Sequence, residues 1–320
     1  MGYRHRSRAS DESVRFKNWP ESDKVQPLAF AAYKVGMTHI VGVQNRPKAT
    51  AQGMDIAVPV TVLAAPPMKV FAVRAYIMDG NDERALTEVI ADKVDSNLHR
   101  RITSFRKGKA PDFSKIETNL NSIIDIRLLA STNRDATSIA KKPHVFEIAI
   151  GGKTVKEKLD YAKTVLGKEI TVNDVFSEKE FVDVKGVTKG KGWQGPVKRW
   201  GVKMQPHKSK KHRNTGTIGS KNPDETLWTV PMPGQMGYHT RTEVNKKIMK
   251  IGADGAEVTV KGGFLHYGTL DKVPFIVLAG TVQGPTKRVL ALRKSIRFNG
   301  KDKYQLGEIK HFSTSSKQGK

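Results

Sequence analysis

The stretch VDVKGVTKGKGWQGPVKRW, Val182–Trp200, changes within a few residues from one kind of chain into another. Its first residues alternate β-branched and polar side chains, the period of a strand with one buried face. From Lys189 onward glycine and lysine take over, and the apolar period is lost. The new character persists, since Val184–Pro223 holds 11 Lys or Arg and no Asp or Glu. A solvated surface normally mixes both signs, so a run of that length without a carboxylate points to a polyanionic partner. Glycine and proline punctuate the segment as far as about Arg241. An irregular length of this size inside a compact domain is functional or is ordered by what it binds.

The rest of the chain sharpens that contrast. Its 320 residues carry 56 Lys plus Arg against 31 Asp plus Glu, a net charge of +25. At roughly 150 residues per domain the length suggests about two domains. Asp79–Asp183 holds 18 acidic and 18 basic residues, so the whole excess lies outside that neutral block. Self-repulsion on this scale opposes the compact state, and a polyanion relieves it. The chain has no cysteine, which excludes a disulfide scaffold, thiol nucleophiles and cysteine-based zinc sites. No apolar run approaches the roughly 20 residues of a membrane span. The basic, polar opening MGYRHRSRAS does not read as a secretory signal. The expected compartment is reducing, aqueous and cytoplasmic.

Strand signals dominate outside the neutral block. They run through FAAYKVGMTHIVGV, broken near Gly36, then AVPVTVLA and MKVFAVRAY, and return in FVDVKGV, AEVTVKGG, FIVLAGTV and KRVLAL. Within the block, Leu86, Val89, Ile90 and Val94 recur at helical spacing, which predicts a helix over RALTEVIADKVD. Ser114 and Glu117 form a candidate capping box for a second helix through Leu120, Ile123 and Ile124. IDIRLLAST and HVFEIAI read as strands, and KEKLDYAKTVLGKE as a helix stopped at Gly167. The expected fold is mainly β with an α/β insertion. Its divisions are a basic N-terminal tail over 1–28, β segments over 29–78, the insertion over 79–180 and a strand over 181–188. The internal extension over 189–241, a second β part over 242–309 and a C-terminal tail over 310–320 complete it.

The motifs favour binding over catalysis. GKGWQG, Gly190–Gly195, is a literal G-x-G-x-x-G, but Pro196 follows at once and no acid appears before Asp224. A dinucleotide site needs a helix opening at the third glycine and an acid about 20 residues on. IGGKT, at 150–154, lacks the first glycine of a phosphate loop, since Glu147 stands there. His207 and His212 have a spacing that could ligate metal, yet Lys208, Lys210, Lys211 and Arg213 surround them and no carboxylate does. RNA contact is the better reading. Trp193, Trp200 and Trp228 interleave with these cations, as suits stacking on unpaired bases. Trp200, beside a strand end, fits packing on the protein equally well.

Four blocks together resemble the universal large-subunit ribosomal protein L three family, of archaeal type. They are YKVGMTHI (Tyr33–Ile40), VDVKGVTKGKGWQGPVKRW, PGQMGYHTRT (Pro233–Thr242) and FIVLAGTVQGPTKRVLALRKS. The resemblance implies a six-stranded closed β-barrel of the translation type. It also implies a long internal extension and basic N- and C-terminal tails that enter ribosomal RNA. The implied role is structural: binding 23S-type rRNA near its 3′ end, supporting subunit assembly, and reaching toward the peptidyl-transferase region without catalysing. Matched by position, Lys189, Lys191, Lys198, Arg199, Gln235, His239 and Arg241 would be RNA contacts. To these the charge and ring pattern adds Arg4, Arg6, Arg8, Lys185, Trp193, Lys203, His207, Lys208, Lys210, Lys211, His212, Arg213, Lys221 and Trp228. Asp224 and Glu225 sit near the implied tip of the extension, where acids are out of place. Arg100, Arg101, Arg106, Lys107 and Lys109 are the expected RNA-facing edge of the neutral block.

The implied partners are 23S-type rRNA and neighbouring large-subunit proteins, with no membrane and no small-molecule substrate. No cofactor is expected, and any structural Mg²⁺ or K⁺ would be held with the rRNA. Two rivals follow from the same residues: a general nucleic-acid-coating protein, and a nicotinamide-dependent enzyme using GKGWQG.

Overall fold

The computed structural model describes residues 5–103, 111–133, 135–137, 139–298, 300, 302 and 304–316. In chain order the elements are β1 (Ala29–Gln44), β2 (Asp55–Ala64), β3 (Met68–Asp79), β4 (Asp82–Ile90), α1 (Ser114–Thr118), β5 (Ile123–Thr132), β6 (Val145–Ala149), α2 (Val155–Val165) and β7 (Glu169–Ile170). Then follow β8 (Phe181–Val187), β9 (Trp193–Gln194), α3 (Pro196–Trp200), β10 (Gly234–Gln235), β11 (Thr240–Gly252), β12 (Phe275–Ala279), β13 (Val289–Lys294) and β14 (Leu306–Phe312). The chain divides into two compact units, one of residues 1–11 and 187–241, the other of 12–186 and 242–320.

The larger unit contains two sheets. In the first, the order is β13-β8-β11-β12-β2-β1-β14, and β13 also pairs β1. Six strands, β1, β2, β12, β11, β8 and β13, therefore each have a bonded neighbour on both sides. Tyr33 stands opposite both Val289 and Ala64, and Ala64 in turn opposite Phe275. Side chains on both faces of this ladder are buried, Phe30, Ile276, Leu290 and Val184 on one and Ile40 and Val60 on the other, all but inaccessible to solvent. Each such side chain stabilises by roughly 1.5–3 kcal/mol on burial. β1 is buried without alternation as far as Val35 and alternates afterward. The second sheet covers its first half: the Tyr33 hydroxyl donates to Thr132 Oγ1 at 2.9 Å, and the Ala31 amide approaches Met68 Sδ at 3.3 Å. The expected break at Gly36 is a register shift inside one continuous strand. A Cβ there would lie 2.4 Å from the Phe264 ring, so glycine is what lets that ring close over the strand. β8 and β13 are also pinned by charge, because Arg293 donates to the buried Asp183 at 2.7 Å.

The second sheet has the order β4-β3-β5-β6, with β7 pairing β3. The α2 helix packs on it through Leu159 and Ala162, capped at its start by Thr154 and followed by Gly167 at φ +79°. Phe71, Ala72, Leu98 and Leu129 form the core on its other flank.

Several expectations are corrected here. RALTEVIADKVD is not a helix: Asp82–Ile90 is the edge strand β4, because β3 offers it a ladder from Ala72↔Ile90 to Asp79↔Asp82. The cross-strand pair Arg74–Glu88 at 2.6 Å holds the register. The second predicted helix is cut to α1 and a 3-10 turn at Leu120–Ser122, and Ile123 and Ile124 already belong to β5. Ser114 is the first helical residue of α1 and not its cap; the N-cap position is Phe113, and the Asp112 carboxylate before it accepts from the Ser114 amide at 3.0 Å. AEVTVKGG forms a 3-10 turn at Gly255–Val258 and no strand, with Gly255 tight against Leu270.

Two boundaries also move. β3 pairs β4, β5 and β7, so the first β part ends near Pro66–Pro67 rather than at 78. Two residues without amide donors cannot carry a ladder onward. The C-terminal tail begins after Phe312, not at 310, because β14 lies beside the second half of β1. The N-terminal tail is not uniform either. Residues 12–28 pack within the larger unit, with Val14 buried, Arg288 bonded to Glu12 at 2.7 Å and Arg293 lying 4.5 Å over Phe16. Arg106, Lys107 and Lys109 of the basic edge lie outside the described residues, as does Arg4.

Candidate nucleic-acid interface

The smaller unit consists of the internal extension and the N-terminal arm. The extension is closed at its base by a short neck. Trp193 and Gln194 of β9 pair Gln235 and Gly234 of β10. Backbone bonds continue the neck from Lys191 N to Met236 O (2.9 Å), from Met236 N to Gly192 O (2.8 Å) and from Thr188 N to His239 O (3.0 Å). Gly237, at φ +72°, lies so near Lys189 that a Cβ would stand 2.0 Å from its carbonyl oxygen. No other residue type fits that crossing.

Above the neck, Pro196 opens the one-turn helix α3 and Gly201 closes it in the left-handed conformation. That turn aims Arg199 and Trp200 back at the returning strand. Arg199 Nε donates to Gln235 O at 3.1 Å, and its Nη1 donates to Met232 O at 2.9 Å and Pro233 O at 3.3 Å. Trp200 Nε1 donates to Met232 O at 2.8 Å. The arm then locks the same place. The Arg6 guanidinium lies 3.7 Å over the Trp200 ring and donates to Arg199 O at 2.9 Å. Ala9 N donates to Tyr238 O at 2.7 Å, and His239 Nδ1 is 2.7 Å from Ser7 O. A carbonyl can only accept, so the His239 proton sits on Nδ1.

From Val202 to Pro233 the chain forms no helix or strand. Local bonds shape it: Gln205 N to His212 O at 3.0 Å, His212 Nδ1 to Pro206 O at 3.1 Å, and Thr215 Oγ1 to Pro231 O at 3.2 Å. Lys189, Lys191, Lys198, Lys203, His207, Lys208, Lys210, Lys211, Arg213 and Lys221 are exposed, as is Arg8 of the arm. Trp193 and Trp228 are 76% and 60% exposed, large flat rings that a folded monomer has no reason to leave in water. The surface is thus cationic and aromatic, and within the extension the sequence places no acid before Asp224.

The predicted residues separate into two groups. The lysines, Arg8, Arg213, His207, Trp193 and Trp228 face solvent, whereas Arg6, Arg199, Gln235, His212 and Arg241 are half-buried and His239 is 6% exposed. Arg6 through Nη1, Arg199 through Nε and Nη1, and His239 through Nδ1 bond the chain itself, so in this structure they shape the surface. Lys185 belongs to the larger unit, where its ammonium donates to the Arg15 carbonyl. Burial, and then Arg293 and Lys17, push its pKa down. Trp193 and Gln194 of GKGWQG form the neck strand, and the helix that follows its third glycine, α3, starts with a proline and lasts only five residues, unlike the helix of a dinucleotide-binding βαβ unit. Among the described residues no three His, Asp or Glu gather where a metal ion could sit. Sequence reading missed the docking of the arm, because Ser7 and His239 are 232 residues apart and neither belongs to a pattern.

This geometry falls in the part of the chain that carries the most specific motif, and the comparison with known proteins covers it and nearly everything else. The sequence profile of the family described as ribosomal protein L3 matches residues 1–319. The chain belongs to the ribosomal protein L3 family. It is 46% identical to the large ribosomal subunit protein uL3 of Methanocaldococcus jannaschii, over all of this chain and 96% of that protein. It is 45% identical to the uL3 of Methanococcus vannielii and 44% identical to that of Methanothermobacter thermautotrophicus, with the same coverage.

Proposed function

We propose that this chain is a structural, non-enzymatic constituent of the large ribosomal subunit and that the smaller unit is its rRNA-binding surface. One observation carries the reading: the smaller unit presents its lysines, Arg8, Arg213 and two tryptophans to solvent, while Arg6, Arg199 and His239 are spent on shaping it. Lysines distributed along an irregular backbone suit the phosphates of folded RNA, and the exposed rings suit unpaired bases. In this reading the six mutually paired strands close into a barrel. The extension contacts 23S-type rRNA near its 3′ end and reaches toward the peptidyl-transferase region. Neighbouring large-subunit proteins complete the environment, in the cytoplasm, and any Mg²⁺ or K⁺ is held with the RNA. No helix among the described residues is long and apolar enough to cross a membrane.

The test is sedimentation of a native lysate through sucrose with and without ribonuclease. Comigration with the large subunit, retained in moderate salt and lost after digestion, is the expected result. Migration as a free 35.5 kDa protein in both conditions overturns the reading.

A further inference from the structure

A second acid-free run lies in the larger unit. Residues 272–301 hold seven Lys or Arg and no Asp or Glu, yet they include two strands of the ladder, β12 and β13. Between those strands Arg288 N donates to Pro285 O at 3.3 Å and closes a turn. Lys287 takes φ +66° in it, a left-handed conformation that glycine adopts without cost and lysine does not. The surroundings hold it there. Lys287 N donates to Lys34 O at 2.7 Å, and Lys34 N to Arg288 O at 3.0 Å. The buried Lys34 ammonium donates to the carbonyls of Val282 at 2.6 Å and Gly284 at 3.1 Å. Gln283 Nε2 donates to Val184 O at 2.9 Å, which fixes the turn beside β8. Lys287 itself is exposed and forms no ion pair among the described residues. A strained position that keeps a long cation where glycine would fit better points to a use for the cation.

The strap that follows the N-terminal arm adds more cations beside this turn. Its Glu12 pairs with Arg288, the neighbour of Lys287, at 2.7 Å. Further on it crosses the face of β8 and β13 where Lys185 stands opposite Ala291 and Asp183 opposite Arg293. The Phe16 ring lies there between two cations, with Arg293 at 4.5 Å and Lys185 at 5.7 Å. Arg293 Nη1 donates to Asn18 O at 2.5 Å, and the Lys185 ammonium donates to Arg15 O. Asp183 is used by Arg293 at 2.7 Å and by the Asn245 amide at 3.1 Å. Arg15 and Lys17 are exposed and Lys185 is half-buried, and none of the three forms an ion pair among the described residues. Glu21 and Asp23, later in the strap, line a cleft toward β5 that Lys17 also borders. Like charges gathered in this way repel one another until an anion meets them.

We propose that Lys287, Arg15 and Lys17, backed by Lys185, form a second RNA-binding surface, on the larger unit, that takes the phosphodiester backbone of rRNA independently of the extension. The strained turn sets the Lys287 ammonium at a fixed place, so little freedom is lost when a phosphate meets it. Arg15 and Lys17 follow the backbone along the strap, and the phosphates supply the counter-charge that the fold does not give Lys185. Lys34 is a positioning residue here, since it reaches the RNA only through the turn it holds. The proposal rests on the ribosomal reading above.

The test measures the affinity of the full chain for 23S-type rRNA transcribed in vitro, over a range of salt. Lys287→Gly is expected to bind about three- to tenfold more weakly in low salt, with a log–log slope shallower by about 0.7–0.9. Its thermal midpoint should stay equal or rise, because glycine relieves the turn. Adding Arg15→Gln and Lys17→Gln should bring the change in slope to roughly 2–3. Lys48→Gly removes another exposed lysine at positive φ, +61°, from the loop between β1 and β2, and should leave affinity within about twofold. Unchanged affinity and slope in Lys287→Gly, or an equal loss in Lys48→Gly, overturns the proposal. A lowered thermal midpoint in Lys287→Gly overturns it too, since the lysine would then serve the fold. A wild-type chain that does not bind the rRNA at all would instead overturn the ribosomal reading, so the two failures are told apart.

Discussion

Arg199 differs from the lysines around it in where its donors go. Its guanidinium ties the carbonyls of Met232, Pro233 and Gln235 to the turn that carries Trp200. A planar fork can serve several fixed carbonyls at once, and an ammonium of similar reach cannot. Arg199→Lys keeps the charge and is expected to loosen the neck by about 1–3 kcal/mol, the worth of charged hydrogen bonds lost in a protected place. Limited proteolysis should show faster cleavage within 202–233, with the thermal transition of the β-rich unit unchanged. Unaltered cleavage would mean that Arg199 is dispensable for order and free for RNA. Tyr33 supplies a second prediction at this scale. Burial raises its hydroxyl to about 12, the bond to Thr132 only partly offsetting this. Its folded value exceeds the unfolded one near 10, so its contribution is complete below pH 10 and is lost as pH rises toward 12. Two units correspond to about 2–3 kcal/mol. Urea unfolding of the wild type should weaken steeply between those pH values, and Tyr33→Phe should flatten that part of the profile.

The N-terminal arm and the neck behave as one element despite their distance in sequence. Arg6, Ser7 and Ala9 supply three hydrogen bonds and one ring contact to residues 199–239. At roughly 0.5–1.5 kcal/mol for each bond, less the entropy of holding the arm, their loss should raise local opening on the order of tenfold. Deleting residues 1–10 is therefore expected to increase amide exchange at Lys191, Met236 and Tyr238, measured by hydrogen–deuterium exchange, without touching β1 or β2. Equal exchange in both forms would contradict the linkage. None of this linkage was legible in the sequence, since it joins single residues across most of the chain. The strands were legible where one face is buried, as in β8 and β12, because alternation or a short apolar run bounded by turns has one reading. The failure at β4 has a physical cause. Leu86, Val89 and Ile90 satisfy helical spacing by accident, and Leu86 is in fact 36% exposed. The open edge of β3 decided the structure there, and an edge exists only after the sheet does. AEVTVKGG failed for the converse reason: its alternation is real, but Gly255 is needed in close contact with Leu270, and no neighbouring strand offers it a ladder.

Taken as a whole, the molecule keeps its excess charge where its own fold does not neutralise it. In the larger unit several cations are paired within the fold, as in Arg293–Asp183, Lys247–Asp302 and the Arg127 cluster. In the extension the lysines have no acids in sequence to pair with until Asp224. Charge held apart in this way costs stability in the free protein through repulsion, and the cost is returned when counterions condensed on RNA are released. Affinity for rRNA should consequently fall linearly on a log–log plot against salt, with a slope of about −0.7 to −0.9 for each phosphate engaged. Lys208, Lys210 and Lys211 are exposed on one short run, so replacing all three by Gln removes charge without removing packing. The slope should become shallower by roughly 2–3, and the affinity in low salt should drop far more than that in high salt. A variant that weakens binding equally at every salt concentration would show that these lysines act by shape, and the extension would have to be held on RNA chiefly by Trp193 and Trp228.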